Sequence, residues 1–305
     1  MAEVTLSTSL GPLALRSPLI AASGTVGSVW EWAPVTDLTV YGAAVAKSVA
    51  PVEWKGRPAP RLAPLPVGML NSIGIQNPGI DAWISEIAPR IRGLDVAVWG
   101  SAVGGTPGEF ATVAVGLEAG GVAAIEANLS CPNLDDGEMF SFDARRSAQV
   151  VAALKGATSL PVGAKLSPDT PDIVAVAAAC QEAGADFVVL TNTARGFGVS
   201  LTDRRPLISG GIGGYSGPGL KPLSLRCVYE VSRALPGLPV VGCGGVMTGA
   251  DVVEYMMTGA SAVEIGTAHF AEPRAGARIA KELTKTLARL GVRSLDEIVG
   301  SVRPW

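Results

Sequence analysis

Eight short runs of apolar and β-branched residues recur along the chain: PLIAAS at 18–23, AAVAKS at 43–48, DVAVWGS at 95–101, VAAIEANLS at 122–130, PVGAKLS at 161–167, DFVVLTNT at 186–193, PVVGCGG at 239–245 and SAVEIGT at 261–267. Runs this short and this apolar are the pattern of parallel strands buried on both faces. Helix-patterned segments lie between several of them, at 110–119, 144–156, 171–183, 223–235 and 250–258. Strand alternating with helix eight times specifies an α/β protein, either a closed barrel or a large open sheet.

Two features select the closed (β/α)8 TIM barrel. No GxGxxG follows the first strand, so the fingerprint of the dinucleotide-binding open sheet is lacking. The polar residues Ser23, Lys47, Ser48, Ser101, Asn128, Cys131, Lys165, Asn192, Thr193, Gly244, Gly245, Gly266 and Thr267 all fall at or just past strand C-terminal ends. In a barrel those ends form one rim, where barrel enzymes carry their sites. A barrel takes about 250 residues, so the 305 residues are expected to form one domain over 1–305. The excess sits in two long connections, roughly 49–94 and 194–238, dense in Gly and Pro. They are expected as irregular inserted loops roofing the C-terminal rim.

Composition narrows the function. Apolar residues make up 48%, charged residues 17%, and the net charge is −3 without a Lys/Arg cluster; a nucleic-acid surface would need the reverse. No stretch of about 18 apolar residues runs free of charge, proline or several glycines, so no membrane span is expected. The first residues show neither a secretory nor a transit signal, and a cytoplasmic location is the default. The cysteines, Cys131, Cys180, Cys227 and Cys243, form no CxxC pair, and neither a metal site nor a disulfide framework is expected. His269 is the single histidine, so the commonest general base is nearly missing.

The rim residues carry the chemistry. GCGGVMTG at 242–249 and IGTAH at 265–269 stand in the loops after strands seven and eight, where barrels bind phosphate through backbone N–H groups. Gly244, Gly245, Gly266 and Thr267 are the candidates, with Gly217 of SGPGLKP converging on them; for one such loop alone, a plain tight turn explains the glycines equally well. Lys47 and Lys165 end two apolar strands. Singly, each reads as well as an ion pair or a snorkelling lysine; together at one rim they suit an anion, such as a flavin ring that becomes negative on reduction. In NLSCPN at 128–133, Asn128 and Asn133 flank Cys131, whose polar loop sets it apart from the other three cysteines, read as small buried hydrophobes. A thiol near lysines can serve as a base at neutral pH. Asn71 and Asn192 add two more amides. The set suits a planar heterocycle with ring carbonyls and N–H groups, its carboxylate met by Lys47 and by the backbone of Asn71, Ile73, Gly74 and Ile75. His269 is expected in a structural position near the phosphate loop, and Trp99 in the core.

Taken in order, ASG (22–24), KS (47–48), NSIGIQNPG (71–79), NLSCPN (128–133), AKL (164–166), TNT (191–193), GGYSGPGLKP (213–222), CGG (243–245) and IGT (265–267) resemble the class 1 dihydroorotate dehydrogenases over nearly the whole chain. The resemblance implies an FMN enzyme of pyrimidine biosynthesis that oxidises dihydroorotate to orotate. Cys131 would take a proton from carbon 5 while a hydride leaves carbon 6 for the flavin, and Lys165 would stabilise the reduced ring. It implies orotate contacts at Lys47, Asn71, Ile73, Gly74, Ile75, Asn128, Asn133, Asn192 and Thr193. FMN contacts are implied at Ala22, Ser23, Gly24, Lys47, Ser48, Asn128, Lys165, Gly217, Gly244, Gly245, Gly266 and Thr267. GIQNPG and TNT look closest to class 1B, whose catalytic subunits form a homodimer core. That core pairs, as a heterotetramer, with a subunit carrying FAD and a [2Fe–2S] cluster and passing electrons to NAD.

The sequence departs from the pattern in three places. LDDGEMFSFD is about one residue short for the substrate lid, Ser101 stands where class 1B has Asn, and SGG at 209–211 replaces a usual GN. Rival readings are a fumarate-using class 1A enzyme, a dihydropyrimidine dehydrogenase flavin domain, a tRNA-dihydrouridine synthase, and a barrel kept as a scaffold subunit. The tRNA reading needs a basic surface and a helical domain, which the sequence lacks.

Overall fold

A computed structural model describes residues 4–130 and 139–303. Eight parallel strands close a barrel: β1 (Leu19–Ala21), β2 (Ala43–Val45), β3 (Ala97–Ala102), β4 (Ala124–Asn128), β5 (Val162–Leu166), β6 (Phe187–Leu190), β7 (Val240–Cys243) and β8 (Ala262–Ile265). Each pairs with its sequence neighbours, and β8 returns to β1 with Val263 opposite Leu19. All eight runs read as strands in the sequence are the barrel strands.

The helices outside are α1 (Pro107–Gly120), α2 (Ala144–Ala157), α3 (Ile173–Glu182), α4 (Lys221–Ala234), α5 (Gly249–Thr258) and α6 (Ala275–Leu290). Their starts are written in the sequence. Thr106 caps α1 by accepting from Glu109 N–H, with Pro107 as first helical residue, and Thr248 and Asp251 form a reciprocal capping box on α5. One expectation fails here, and one further helix stands where none was expected. The connection from β1 to β2 carries only a 3-10 turn at Leu38–Val40, so helices do not follow all eight strands. Helix α6 follows β8, its Ile279, Leu283 and Leu287 recurring every four residues on the buried face, although the pattern was not read from the sequence.

Side chains alternate across each strand, so one set points in and the other meets the helices. Inward-facing Ile20, Ala43, Val45, Trp99, Ala124, Phe187, Val189, Val241 and Ala262 form one apolar cluster inside the barrel. Trp99 and Phe187 dominate it, ring centroids 5.2 Å apart. Gly163 makes room for them, since a Cβ there would lie 2.1 Å from the Phe187 ring. An antiparallel hairpin, Thr8–Leu10 with Leu13–Leu15, adds Leu10 and Leu15 to the same cluster, and its turn at Gly11 lies against Asp186 and Pro239, which precede β6 and β7. The hairpin thus stoppers the N-terminal mouth and leaves the C-terminal rim open.

The long connections are not irregular loops. They supply a four-stranded antiparallel sheet in the order Ala194–Gly196, Gly213–Ser216, Met69–Asn71, Leu62–Pro64, in which Asn71 opposes Gly214. The first also carries a helical stretch, Ile80–Ala82 and Ala88–Ile91 joined by a π turn at Trp83–Ile87. Glycine hid the sheet, because Gly213 and Gly214 read as breakers. They are there for close approach: a Cβ would come within 2.3 Å of the Asn71 carbonyl oxygen at Gly213 and of Thr193 Oγ1 at Gly214.

Trp99 is fully buried and its indole N–H has no partner. Trp99→Ala should cost about 3–5 kcal/mol of stability in urea unfolding. Trp99→Phe should cost clearly less, because it removes the unsatisfied donor together with part of the ring.

Candidate active site

The open rim surrounds a cavity of about 630 Å³, large enough for a cofactor and a small ligand together. Every barrel strand except β3 contributes wall residues at its C-terminal end, and the four-stranded sheet lies over it as a roof. Ala22, Ser23 and Gly24 follow β1; Lys47 and Ser48 follow β2; Asn128 ends β4; Lys165 lies in β5. Asn192 and Thr193 follow β6, Gly244 and Gly245 follow β7, and Gly266 and Thr267 follow β8. Asn71, Ile73, Gly74 and Ile75 come from the roof. All these positions singled out in the sequence therefore line one cavity. Gly217 is beside the Gly245 turn, its carbonyl 3.0 Å from where a Gly245 Cβ would be. Cys131 and Asn133 lie outside the described residues.

The amides are linked rather than scattered. Asn192 Nδ2 donates to Asn128 Oδ1 at 3.2 Å, Asn128 Nδ2 to Ser48 Oγ at 3.4 Å, and the Ser48 and Ser101 hydroxyls are 2.8 Å apart. The Thr193 N–H donates to Asn192 Oδ1 at 2.8 Å, and Asn71 Nδ2 donates to the Gly214 carbonyl at 3.2 Å. Each amide is thereby held in one orientation, ready to read a ring edge. Ser101 joins this network through its hydroxyl.

Opposite the amides, the loops after β7 and β8 present backbone. Gly244 and Gly245 have φ of +129° and +71°, and a Cβ would strike Ser224 Oγ at 2.3 Å or Lys221 N at 2.7 Å. Tyr255 fixes this turn by donating its hydroxyl to the Gly244 carbonyl at 2.6 Å. With Gly266 beside them, these residues leave bare peptide on the wall, which is the cradle a phosphate requires.

Lys165 sits at the floor, 4% exposed. Its Nζ is 2.6 Å from Glu264 Oε2 and 3.3 Å from Glu126 Oε2, both carboxylates being fully buried. Burial alone would lower the ammonium pKa, but Glu126 and then Glu264 outweigh it and hold Lys165 charged. Burial and the neighbouring Glu264 push Glu126 up from its ordinary range. Neither glutamate was singled out in the sequence. The signal was available: in VAAIEANLS and SAVEIGT each stands in phase with inward-facing neighbours, Ala124 and Asn128 or Ala262 and Gly266, where a lone charge is not tolerated. Cys180, Cys227 and Cys243 are buried as expected, and burial raises all three thiols.

The sequence also matches known proteins. The family model described as dihydroorotate dehydrogenase matches residues 5–287. A protein of Geobacter sp. (strain M21), 40% identical over 97% of this chain and 98% of its own length, is named dihydroorotate dehydrogenase B (NAD(+)), catalytic subunit. Proteins of Trichlorobacter lovleyi, 41% identical over 97% of the chain and 98% of their own length, and Geobacter sulfurreducens, 41% over 99% of both, bear the same name.

His269 lies just beyond the Gly266 turn and is buried, its Nε2 2.9 Å from the Tyr41 hydroxyl, its Nδ1 3.2 Å from Thr25 Oγ1, and its ring 4.7 Å from that of Trp32. Its place is structural, as expected. Burial lowers its pKa to about 3, so it stays neutral in the folded chain while the unfolded chain binds a proton below about 6.5. The unfolded state therefore gains protons first as pH falls. Stability from this group is complete above about pH 6.5 and is lost towards pH 3, by roughly 2 kcal/mol between about pH 7.5 and pH 5. Urea midpoints at the two pH values should show this loss, and His269→Asn, weaker at the higher pH, should lack that part of the acid slope.

Proposed function

The chain belongs to the dihydroorotate dehydrogenase family, and from that premise we propose that it is a class 1B catalytic subunit, oxidising dihydroorotate to orotate in pyrimidine biosynthesis from the rim cavity of one barrel domain spanning 1–305. The observation that carries the assignment to this cavity is the pairing of a buried Lys165 ammonium at its floor with the linked amides of Asn71, Asn128 and Asn192 around its walls.

The residues present fit FMN. The glycine turns at Gly244, Gly245 and Gly266 suit its phosphate, and the cation at the floor suits the ring edge that gains negative charge. When bound, FMN supplies the acceptor for the hydride leaving carbon 6. Lys165 holds positive charge at that floor, while Ala22, Ser23, Gly24, Ser48 and Thr267 complete the cofactor wall.

On the substrate side, Lys47 and the backbone from Ile73 through Ile75 would take the carboxylate, and Asn71, Asn128, Asn133, Asn192 and Thr193 the ring amide and carbonyl groups. Cys131 would remove the proton from carbon 5. Its motif supports that role, and the residue before it is fastened to the floor: Ser130 N–H donates to Asn128 Oδ1 and Ser130 Oγ to the Lys165 carbonyl, each at 3.3 Å. The roof sheet keeps bulk water from the reacting face.

Electrons would leave through a second subunit carrying FAD and a [2Fe–2S] cluster, which reduces NAD; a homodimer of this chain would form the core of that complex. The name shared by the relatives, catalytic subunit of an NAD(+) enzyme, supports this arrangement. Among the described residues no helix is long and apolar enough to cross a membrane, and we assign the enzyme to the cytoplasm.

Anaerobic mixing of the FMN-loaded chain with dihydroorotate should bleach the flavin absorbance, and Cys131→Ala should slow bleaching by about 10²–10⁴-fold, the usual contribution of a general base. A loaded wild type that dihydroorotate leaves yellow would sink the substrate assignment. The chain purified alone should fail to reduce NAD, and a pure homodimer with that activity would defeat the two-subunit scheme.

A further inference from the structure

Beneath the cavity floor, one lysine faces two carboxyl groups. Lys165 Nζ lies 2.6 Å from Glu264 Oε2 and 3.3 and 3.4 Å from the two oxygens of Glu126, while Ser23 donates to Glu126 Oε1 at 3.1 Å. Both glutamates are fully buried and neither lines the cavity. Among the described residues Lys165 is the only cation bridged to either. With both carboxyls ionised the cluster would hold one excess negative charge out of water, where two such anions do not both persist. A second anomaly stands beside the first: Glu264 Oε1 is buried and has no donor. The two side chains converge on the same ammonium, Glu264 Oε2 at 2.6 Å and Glu126 Oε2 at 3.3 Å from Lys165 Nζ. A single proton held by the pair cancels the excess charge.

We propose that Glu126 and Glu264 share one proton at neutral pH, forming with Lys165 a charge-balanced cluster that pins the ammonium as a permanent cation facing the FMN ring. They are positioning residues, acting through Lys165. The groups packed around them are consistent: Ser23 follows β1 and is uncharged, and burial raises the Cys243 thiol of β7 well above its ordinary value, so it adds no anion. Burial and Glu264 raise Glu126, the direction a retained proton requires. The position under the flavin rests on the function proposed above; the proton count rests on the cluster alone.

Infrared spectroscopy of the flavin-free chain at neutral pH tests the count. Wild type should show the carbonyl stretch of a buried protonated carboxyl group, shifted in D2O and lost on raising the pH, and both E126Q and E264Q should lack it. The midpoint potential of bound FMN is the second readout. Each Gln leaves one anion, one neutral group and one cation, so the potential at neutral pH should match wild type; at alkaline pH both variants should keep the flavin's own proton-coupled fall and lose only the additional drop that ionisation of the cluster gives the wild type. A wild type without the band, or a potential raised by either substitution at neutral pH, would overturn the proposal, and the wild-type band decides even if a variant fails to fold. A chain that shows the band but is not bleached by dihydroorotate would keep the shared proton and lose only the assigned reaction.

Discussion

The contact between Lys165 Nζ and Glu264 Oε2 divides the barrel into two regions with opposite requirements. Below it, Trp99, Phe187 and Val189 fill the interior with apolar volume. Above it, the walls are amides, hydroxyls and bare glycine backbone. A charged lysine at this boundary would be strongly destabilising without its carboxylates, because removing an ammonium from water costs several kcal/mol that only close, well-aligned counter-charges offset. The glutamates make the boundary possible, and the same contacts tie β8 to β5 and β4 across the barrel interior. Stability and chemistry therefore share one layer of side chains, with the sealed layer beneath it and the hairpin stopper at the far mouth.

The roof is coupled to the rim by a different device. One strand of its sheet, Met69–Asn71, comes from the connection after β2, and its neighbour, Gly213–Ser216, from the connection after β6. Parallel barrel strands have no direct way to join such distant connections, but an antiparallel sheet above them does. The register that sets Asn71 opposite Gly214 aims the Asn71 amide into the cavity wall while its Nδ2 stays tied to the Gly214 carbonyl. Any side chain at Gly214 would meet Thr193, so the sheet, the β6 end and the amide set are fitted to one another.

Sequence pattern revealed the barrel strands because each is short, apolar and bounded by turn residues, and it revealed most of the wall because rim residues must follow strand ends. It failed where a residue's meaning depends on a partner far along the chain. Gly213 and Gly214 look like loop residues until Asn71 and Thr193 lie against them. Glu126 and Glu264 are 138 positions apart, and only barrel closure brings both to Lys165. The lysine's need for a partner was legible; the identity of that partner was a matter of topology.

The same wall narrows who can move a proton. His269 has both ring nitrogens engaged by Tyr41 and Thr25, and burial lowers its pKa to about 3, so it neither reaches the cavity nor changes charge near neutrality. Cys243 does line the cavity, yet burial holds its thiol protonated. Lys165 is kept charged by its carboxylates and has no proton to exchange at neutral pH. The groups described on this wall bind, orient and supply fixed charge. The base of the proposed reaction, Cys131, follows Ser130 in the sequence. A cysteine suits that proposed role because a thiol loses its proton more readily than a hydroxyl or an amide does.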